Sequence, residues 1–239
     1  MLTYAALTSP GSRSVNEDSY HIVEAGGVLG FFVADGLGGH GRGKEASQAV
    51  VEMAGGVFRQ GPKRILEQCF QGGQDYLMAE QLRLGAVNEL KSTMVALVLS
   101  GESAQIGHIG DSRIYWFRKG KLLLRTLDHS VPQMLVASGE INEKEIRGHE
   151  DRNRLLRVMG VEWNTPKYEL HEEAAYQPED SFLLCSDGFW EYVLEKSMLK
   201  TLKAARSPEQ WLAAMETILL KNAARQNMDN YTAVAVWIR

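Results

Sequence analysis

The chain has 239 residues, with 26 Lys and Arg against 30 Asp and Glu, and a formal net charge of −4. Its basic residues form no stripe, which argues against nucleic acid as a partner. No apolar run approaches the ~20 residues that span a bilayer, and no basic region precedes the short apolar stretch at the N-terminus, so we predict a cytoplasmic protein without a membrane anchor.

The sequence predicts one catalytic domain over residues 1–239, because it contains no internal repeat, low-complexity segment or proline-rich linker. Its two cysteines are Cys69, in a helical stretch, and Cys185, in a buried strand. Since disulfides are rare in the reducing cytoplasm, we predict two separate core thiols.

Strand-like and helical segments follow one another in blocks along the chain. Alternating or continuous apolar patterns predict strands at 2–8, 18–24, 28–34, 93–99, 104–109, 113–118, 121–125, 167–171, 181–186 and 231–238. Helical spacing covers 46–57 and 211–219, and 62–87 is also helical, with a break or kink predicted at Gly72-Gly73. Strands in blocks around helical pairs indicate an α+β fold.

Three aspartates lie in short turn-forming settings far apart in the chain: Asp35 in VADGLGGH, Asp187 in LLCSDG and Asp229 in MDNYT. The first two follow apolar runs and precede glycine, which predicts a carboxylate at the end of a buried strand. Carboxylates gathered there repel one another unless a cation neutralises them or some protonate. Oxygen ligands without histidine or cysteine favour Mg²⁺ or Mn²⁺. One Asp-Gly alone is typical of an ordinary turn, but three such settings indicate a metal-dependent enzyme.

Eight motifs follow one another in a fixed order: RSVNED at 13–18, VADGLGGHGRG at 33–43, STMVALVL at 92–99, GHIGDSRIY at 107–115, LDHS at 127–130, RVMG at 157–160, PEDSFLLCSDG at 178–188 and MDNYTAVAV at 228–236. In these motifs the chain resembles the metal-dependent serine/threonine protein phosphatases of the type 2C class, especially their compact bacterial members. The resemblance implies two packed antiparallel sheets flanked by helices on both outer faces, with the site at one end. It also implies hydrolysis of phosphoserine and phosphothreonine in proteins by a water or hydroxide that bridges two Mn²⁺ or Mg²⁺ ions.

The same resemblance implies the roles of the metal ligands. Asp35 would bridge the two ions, the Gly36 carbonyl would complete one shell, and Asp187 and Asp229 would hold the other ion. In bacterial members the aspartate equivalent to Asp111 helps to bind a third, weaker ion. The alternative for Asp111 is a turn residue that accepts bonds from nearby backbone amides.

The RSVNED motif supplies further candidates. Arg13 would present a guanidinium fork to two phosphate oxygens, although a single arginine is often only a surface charge. Glu17 and Asp18 would approach the ions through bound water, and direct coordination by Asp18 stays open. The alternative for this motif is a solvated turn. Asn230, which follows Asp229, is a candidate to contact the metal ligands without binding an ion itself.

The acid that protonates the leaving oxygen is not decided by the sequence. Some family members have a histidine directly after the bridging Asp-Gly, where this chain has Leu37. His40 either orients a metal-bound water or caps the following helix, and His129 is expected to hold its turn together. A metal-bound water is the other candidate acid.

Residues 130–160 are polar and charge-rich, which predicts exposed helices and loop with few buried contacts. By resemblance this segment is a mobile flap beside the active site. Two other functions are the alternatives: a non-catalytic phosphopeptide-binding module, which would lack some of the aspartates, and a two-metal phosphohydrolase of small molecules, which would usually show a nucleotide-binding loop. We expect a monomer whose partners are phosphorylated proteins, including a serine/threonine kinase and its substrates.

Overall fold

The computed structural model describes residues 1–38, 42–61, 65–224 and 226–239. Its strands are β1 (Leu2–Ser9), β2 (Asp18–Ala25), β3 (Val28–Asp35), β4 (Met94–Ser100), β5 (Ser103–Ile109), β6 (Arg113–Arg118), β7 (Lys121–Arg125), β8 (Glu169–Leu170), β9 (Ala174–Ala175), β10 (Ser181–Cys185) and β11 (Tyr231–Ile238). Its α-helices are α1 (Gly43–Arg59), α2 (Ile65–Leu84), α3 (Val131–Ser138), α4 (Asp187–Trp190), α5 (Glu195–Ala204) and α6 (Pro208–Asn222). One 3₁₀ helix spans Glu143–Gly148.

The strands form two antiparallel sheets. One sheet has the order β1-β11-β10-β6-β7, and the other has the order β2-β3-β4-β5-β8, with β9 also paired to β5. The first and last strands pair along their whole length, from Leu2 opposite Ile238 to Ser9 opposite Tyr231. This pairing brings the beginning of the chain beside the segment that precedes β11.

Side chains that alternate along the central strands form separate buried layers. Phe31 of β3 and Val234 of β11 pack between the two sheets. Phe32, the next residue of β3, faces the opposite way and packs with residues of α1 and α2. Ala235 of β11 packs with Trp211 of α6 on the other outer face. The predicted α+β sandwich, with two antiparallel sheets between layers of helices, is therefore confirmed.

Several local predictions need correction. Helix α2 continues through Gly72-Gly73 without a break, and a Cβ at Gly73 would lie only 2.7 Å from Cε of Met159, so close packing accounts for this glycine. The strand predicted at 167–171 contracts to Glu169–Leu170, and α5 had no predicted counterpart. The prediction for the thiols is confirmed, since Cys69 and Cys185 are both free and buried.

Candidate active site

Four strand ends converge on one cleft. Asp35 is the last residue of β3, Asp111 follows β5, Asp187 follows β10 and begins α4, and Asp229 precedes β11. These four residues line a cleft of about 430 Å³. Its other described lining residues are Arg13, Ser14, Val15, Glu17, Gly36, Leu37, Gly38, Asn153, Leu155 and Asn230. The carboxylates that are distant in sequence are thus neighbours in space.

Burial makes this group of carboxylates hard to ionise. It raises the pKa of Asp187 to about 6 and the pKa of Asp18 to about 7, and it moves the pKa of Asp35 and Asp111 well above the ordinary range. Neighbouring carboxylates add to these shifts, most directly Asp18 for Asp35 and Asp187 for Asp111. The group therefore needs protons or cations to balance its charge near neutral pH.

Two carboxylate oxygens in this group lack a donor. Oδ1 of Asp18 and Oδ1 of Asp111 are buried and accept no hydrogen bond from the described residues. The other oxygen of Asp18 accepts a 2.6 Å bond from the hydroxyl of Ser186. Because an unpaired buried polar atom is costly, these two oxygens suit contact with a hard cation or its water.

The Asp35-Gly36 peptide is fixed by backbone and hydroxyl contacts. Asp35 N–H donates to Oγ1 of Thr93 at 3.0 Å, and Asp35 C=O accepts bonds of 2.9 Å from Thr93 N–H and from the hydroxyl of Ser92. Gly36 N–H donates to the Glu17 carbonyl at 3.1 Å. A side chain at Gly36 would collide with the backbone of Gly43, so glycine is required here. The sequence motif gave Asp35 and Gly36 but no role for Thr93 or Ser92.

The turn that carries Asp111 is held from several sides. Gly110 has a φ of +97°, a conformation that favours glycine. Trp190 Nε1–H donates to the Asp111 carbonyl at 2.9 Å. The hydroxyl of Ser112 lies 2.8 Å from Oγ1 of Thr93, the same atom that accepts from Asp35 N–H. Thr93 therefore links the Asp35 segment to the Asp111 turn.

The LDHS segment provides the other contacts of this turn. His129 N–H donates to the Gly110 carbonyl at 2.8 Å, and Gly110 N–H donates to Nδ1 of His129 at 3.2 Å. Arg113 forms two 2.7 Å bonds to the buried carboxylate of Asp128. These contacts confirm the prediction that His129 holds its turn, and Arg113 ties the turn to a nearby carboxylate.

Arg13 and Asn230 belong to the first and last parts of the chain and meet at the rim. Arg13 Nη2 donates to Oδ2 of Asp229 at 2.9 Å, and both side chains are about half exposed. The side-chain amide of Asn230 donates to the carbonyls of Pro10 and Val15 at 2.9 Å each, and its oxygen accepts a 2.8 Å bond from Glu17 N–H. Asn230 therefore shapes the loop that carries Arg13 and Glu17.

Glu17 and Asp18 occupy different positions. Glu17 lines the cleft, and its carboxylate lies beside Gly38 and Gly43. Asp18 is not among the lining residues; it is buried behind them, opposite Asp35 in the β2–β3 pairing. The hydroxyl of Ser186, which the sequence did not indicate, connects it to the end of β10.

The segment at 130–160 is mostly exposed or half-buried, as its composition predicts, but some of its residues make buried contacts. Ile146 is buried in the core beside α5 and α6. Arg147 bonds to the Trp190 carbonyl at 3.1 Å and to Glu195 at 2.9 Å. The prediction of few buried contacts is therefore confirmed for most of the segment, and Ile146 and Arg147 are the local exceptions that attach it to the region of α4 and α5. Asn153 and Leu155 line the cleft.

One more acid near the site escaped the sequence reasoning. Glu191, four residues after Asp187, accepts a 3.0 Å bond from Nε of Arg152. Its burial and the nearby Asp187 raise its pKa to about 7. The sequence signal that could have identified Glu191 is its position one helical turn after Asp187-Gly188. His40 lies outside the described residues, and Leu37 lines the cleft directly after Gly36.

Comparisons with known proteins agree with this architecture. The family model described as protein phosphatase 2C matches residues 11–231. The serine/threonine protein phosphatase PstP of Mycobacterium tuberculosis is 32% identical over 208 residues, which cover 85% of this chain and 39% of that protein. The serine/threonine phosphatase stp of Listeria welshimeri is 30% identical over 213 residues, which cover 85% of this chain and 82% of that protein. The chain belongs to the protein phosphatase 2C family.

A solved structure extends the comparison to metal. The catalytic domain of the serine/threonine protein phosphatase PstP in complex with two manganese ions aligns with a TM-score of 0.83 and 26% identity, over 100% of this chain and 99% of that one. This chain spans 39% of the length of the M. tuberculosis relative. None of the helices within the described ranges is long and apolar enough to cross a membrane.

Proposed function

We propose that this chain is a metal-dependent phosphatase that hydrolyses phosphoserine and phosphothreonine in proteins. The observation that carries the proposal is the gathering of Asp35, Asp111, Asp187 and Asp229 in one cleft with Arg13. Membership of the protein phosphatase 2C family, and relatives named as serine/threonine phosphatases, support the same activity.

The charge of the cleft suits two divalent cations. Its described lining has one guanidinium, that of Arg13, and five carboxylates: Glu17, Asp35, Asp111, Asp187 and Asp229. If all six groups ionise, the formal charge is −4, which two divalent ions cancel. Carboxylate and carbonyl oxygens are the donors that Mn²⁺ and Mg²⁺ prefer, and Oδ1 of Asp111 has no donor among the described residues.

We assign the ligands accordingly. Asp35 would serve both principal ions, the Gly36 carbonyl would serve one of them, Asp187 and Asp229 would serve the other, and Asp111 would serve a third, weaker site. When bound, such ions supply an acidified water as the nucleophile and offset the charge of the phosphate. Glu17 acts at the rim through water. Asp18 acts from behind Asp35, where its carboxylate sets the charge of the buried group.

Arg13 binds the phosphate group of the substrate. Its bond to Oδ2 of Asp229 orients the guanidinium at the rim of the cleft and leaves its other N–H groups for phosphate oxygens. Because half of the side chain is exposed, substrate can reach it without displacing a core residue. Asn230 supports this arrangement by fixing the carbonyls of the Arg13 loop.

Protonation of the leaving oxygen is assigned to water. The described lining contains no histidine, and the residue after Gly36 is the apolar Leu37. The buried carboxylates that surround the site are better suited to hold cations than to remain protonated once those cations bind.

The substrate is a phosphorylated segment of another protein. The cleft is open to solvent, and Asn153 and Leu155 line it from the flap at 130–160, where they can contact residues that flank the phosphate. We further propose that residues 1–239 form one catalytic domain, which works as a monomer in the cytoplasm and opposes a serine/threonine kinase and its substrates.

The direct test is turnover of a phosphothreonine peptide with and without Mn²⁺ or Mg²⁺. Activity should require metal in the millimolar range, disappear with chelator and return with metal, and Zn²⁺ should not replace it productively. Full activity after exhaustive chelation and dialysis would reject the metal mechanism. Binding of the peptide without turnover would indicate a non-catalytic module, and turnover of nucleotides in preference to phosphopeptide would indicate a small-molecule phosphohydrolase.

A further inference from the structure

Three histidine rings form a column outside the catalytic cleft. His108 is on β5, His129 follows β7 and His171 follows β8. The ring centroids of His108 and His129 are 4.6 Å apart with an interplanar angle of 11°, and those of His108 and His171 are 5.5 Å apart. Glu169 is directly opposite His108 in the β5–β8 pairing, so both side chains are on the same face of the sheet.

The hydrogen bonds of His108 leave one nitrogen free. Its Nε2 lies 2.8 Å from the Leu127 carbonyl, which only accepts, so Nε2 carries the proton. Nδ1 is therefore an unprotonated acceptor, and it is buried without a hydrogen-bond partner among the described residues. His108 is 0% exposed, so bulk solvent does not reach this atom. Burial also lowers the pKa of His108, and it lowers the pKa of His129 to about 4, so both rings are neutral near pH 7.

We propose that His108, His129 and Glu169 bind one divalent transition-metal ion, of which Zn²⁺ is the suitable probe. One donor atom from each residue lies within 4.8 Å of the other two. Nε2 of His129 and Oε2 of Glu169 are 3.7 Å apart, a separation that one ion can bridge with bonds of about 2.0–2.2 Å. Imidazole donors select Zn²⁺, Ni²⁺ or Cu²⁺ over the Mg²⁺ and Mn²⁺ that suit the aspartates. Glu169 is 48% exposed and gives the ion access from solvent.

Binding at this site changes the contacts of His129. Since Nδ1 of His129 accepts the bond from Gly110 N–H, its proton is on Nε2, and that proton must move to Nδ1 before Nε2 can bind an ion. The stacked rings also lie in nearly parallel planes, so no ion lies in both planes until His129 turns. Either change breaks the bond to Gly110. Gly110 precedes Asp111, so an ion at the histidines loosens the Asp111 turn and lowers activity.

The inhibition rests on the proposed phosphatase activity, whereas the binding of Zn²⁺ does not. Binding is therefore measured directly, by titration of the chelated and Mg²⁺-reloaded protein with Zn²⁺, and by the visible absorption of the Co²⁺ form, which distinguishes a tetrahedral site with nitrogen ligands from an octahedral oxygen site. We expect one Zn²⁺ to bind in the presence of millimolar Mg²⁺. Phosphopeptide turnover is followed in the same samples.

Two variants remove ligands with little change in shape. In His108→Gln the amide can still donate to the Leu127 carbonyl, but the free ring nitrogen is lost. In Glu169→Gln the change is on a half-exposed side chain, so folding should be preserved. Each should weaken Zn²⁺ binding at least about tenfold and should remove the inhibition, measured against the same variant without Zn²⁺. Glu172→Gln, an exposed neighbour with the same change of charge, should bind Zn²⁺ as the wild type does.

Arg157 gives a change in the opposite direction. Its Nη1 lies 3.5 Å from Nε2 of His129, so a positive charge stands beside the nitrogen that would bind the ion. Arg157→Gln should therefore tighten Zn²⁺ binding. Equal Zn²⁺ affinity in the wild type, His108→Gln and Glu169→Gln would overturn the site, as would weaker binding in Arg157→Gln. Zn²⁺ bound at the histidines with undiminished turnover would overturn the coupling to Asp111.

Discussion

Replacing Thr93 by valine removes one oxygen atom that serves two parts of the active site. Oγ1 of Thr93 accepts from Asp35 N–H at 3.0 Å and lies 2.8 Å from the hydroxyl of Ser112. Thr93 is fully buried and Ser112 is 1% exposed, so water cannot enter to replace the lost contacts. Valine has nearly the shape of threonine, and the change therefore isolates the hydrogen bonds from the packing.

The expected cost follows from the groups left without partners. A buried polar group without its hydrogen bond costs about 1–3 kcal/mol, and here Asp35 N–H and the hydroxyl of Ser112 both lose a partner. Because the hydroxyl of Ser112 can rotate toward another acceptor, we expect a total loss of about 2–4 kcal/mol in the free energy of unfolding. Thr93→Ser keeps the oxygen and loses one methyl group, so it should cost only about 1 kcal/mol.

Activity should separate the same two variants. Loss of the Thr93 oxygen frees the backbone of Asp35 and the turn of Asp111, which the proposed mechanism requires in fixed positions. We expect Thr93→Val to lower turnover of a phosphothreonine peptide by at least about tenfold at a fixed, subsaturating Mn²⁺ concentration, equivalent to about 1.4 kcal/mol. Thr93→Ser should stay close to the wild type.

The measurements are urea unfolding of the metal-free proteins and steady-state turnover across a Mn²⁺ titration. Urea unfolding of the metal-free proteins gives the free energy of unfolding without any contribution from bound ions. Equal unfolding free energies and equal turnover in Thr93→Val and Thr93→Ser would contradict this role of the Thr93 oxygen. A loss of stability in Thr93→Val without a loss of turnover would show that Thr93 supports the fold but does not position the site.

Four further outcomes test the assigned roles. Asp229→Asn should weaken Mn²⁺ binding and lower turnover by orders of magnitude at low metal, and near-normal turnover there would show that Asp229 is not a ligand. Arg13→Ala should raise KM and lower kcat/KM, with a loss of transition-state binding of about 1.5–3 kcal/mol. Stability should change little, because the ion pair of Arg13 is exposed. Calorimetry that showed a large loss of Mn²⁺ affinity would contradict this role. Asp111→Ala should reduce kcat more on a phosphothreonine peptide than on p-nitrophenyl phosphate, whose leaving group needs no proton, and equal losses would exclude a link to proton donation. Burial raises the pKa of Asp18 to about 7 and the pKa of Asp187 to about 6, whereas both are about 4 in the unfolded chain. From about pH 4 to about pH 7 the folded metal-free protein therefore binds more protons than the unfolded chain, and its stability decreases as the pH rises. Its melting temperature should fall between about pH 5 and about pH 7.5. Asp18→Asn should reduce this slope, and melting in chelator with the opposite slope in the wild type would contradict the burial argument.

The sequence could predict the carboxylates of the site because their chemistry leaves a local pattern. Asp35 and Asp187 each follow an apolar run and precede glycine. This pattern indicates a buried strand followed by a turn, with the aspartate side chain at the end of the strand. The central strands were predictable for a similar reason. Strands such as β3 are buried on both faces and therefore appear as continuous apolar runs.

The hydroxyls that support those carboxylates could not be predicted in the same way. Ser186 is 168 positions from Asp18, and Thr93 is 58 positions from Asp35. Serine and threonine are common on surfaces and in turns, so nothing near them in sequence indicates a buried partner. Their role depends on which strand ends the two sheets bring together.

The ion-pair partners of the charged segment at 130–160 could not be predicted for a related reason. Its composition predicted exposure, which holds for most of the segment, since unpaired charges are rarely buried. Arg147 and Arg152 are also paired with Glu195 and Glu191, which belong to the region that follows Asp187. A charge pattern read along one segment cannot show that its counter-charges lie about 40 residues away on another element.

The carboxylates of the cleft are expected to destabilise the folded protein when no metal is bound. Glu17, Asp35, Asp111, Asp187 and Asp229 line one cleft in which Arg13 is the only cation among the described lining residues. Structural ion pairs such as Arg113 with Asp128 are complete within the fold, whereas the cleft is left with an excess of negative charge. A fold that only needed stability would pair or neutralise these groups, because burial without a counter-charge is unfavourable. The excess is useful only if a cation enters, so the same negative charge that would attract divalent metal also opposes folding without metal.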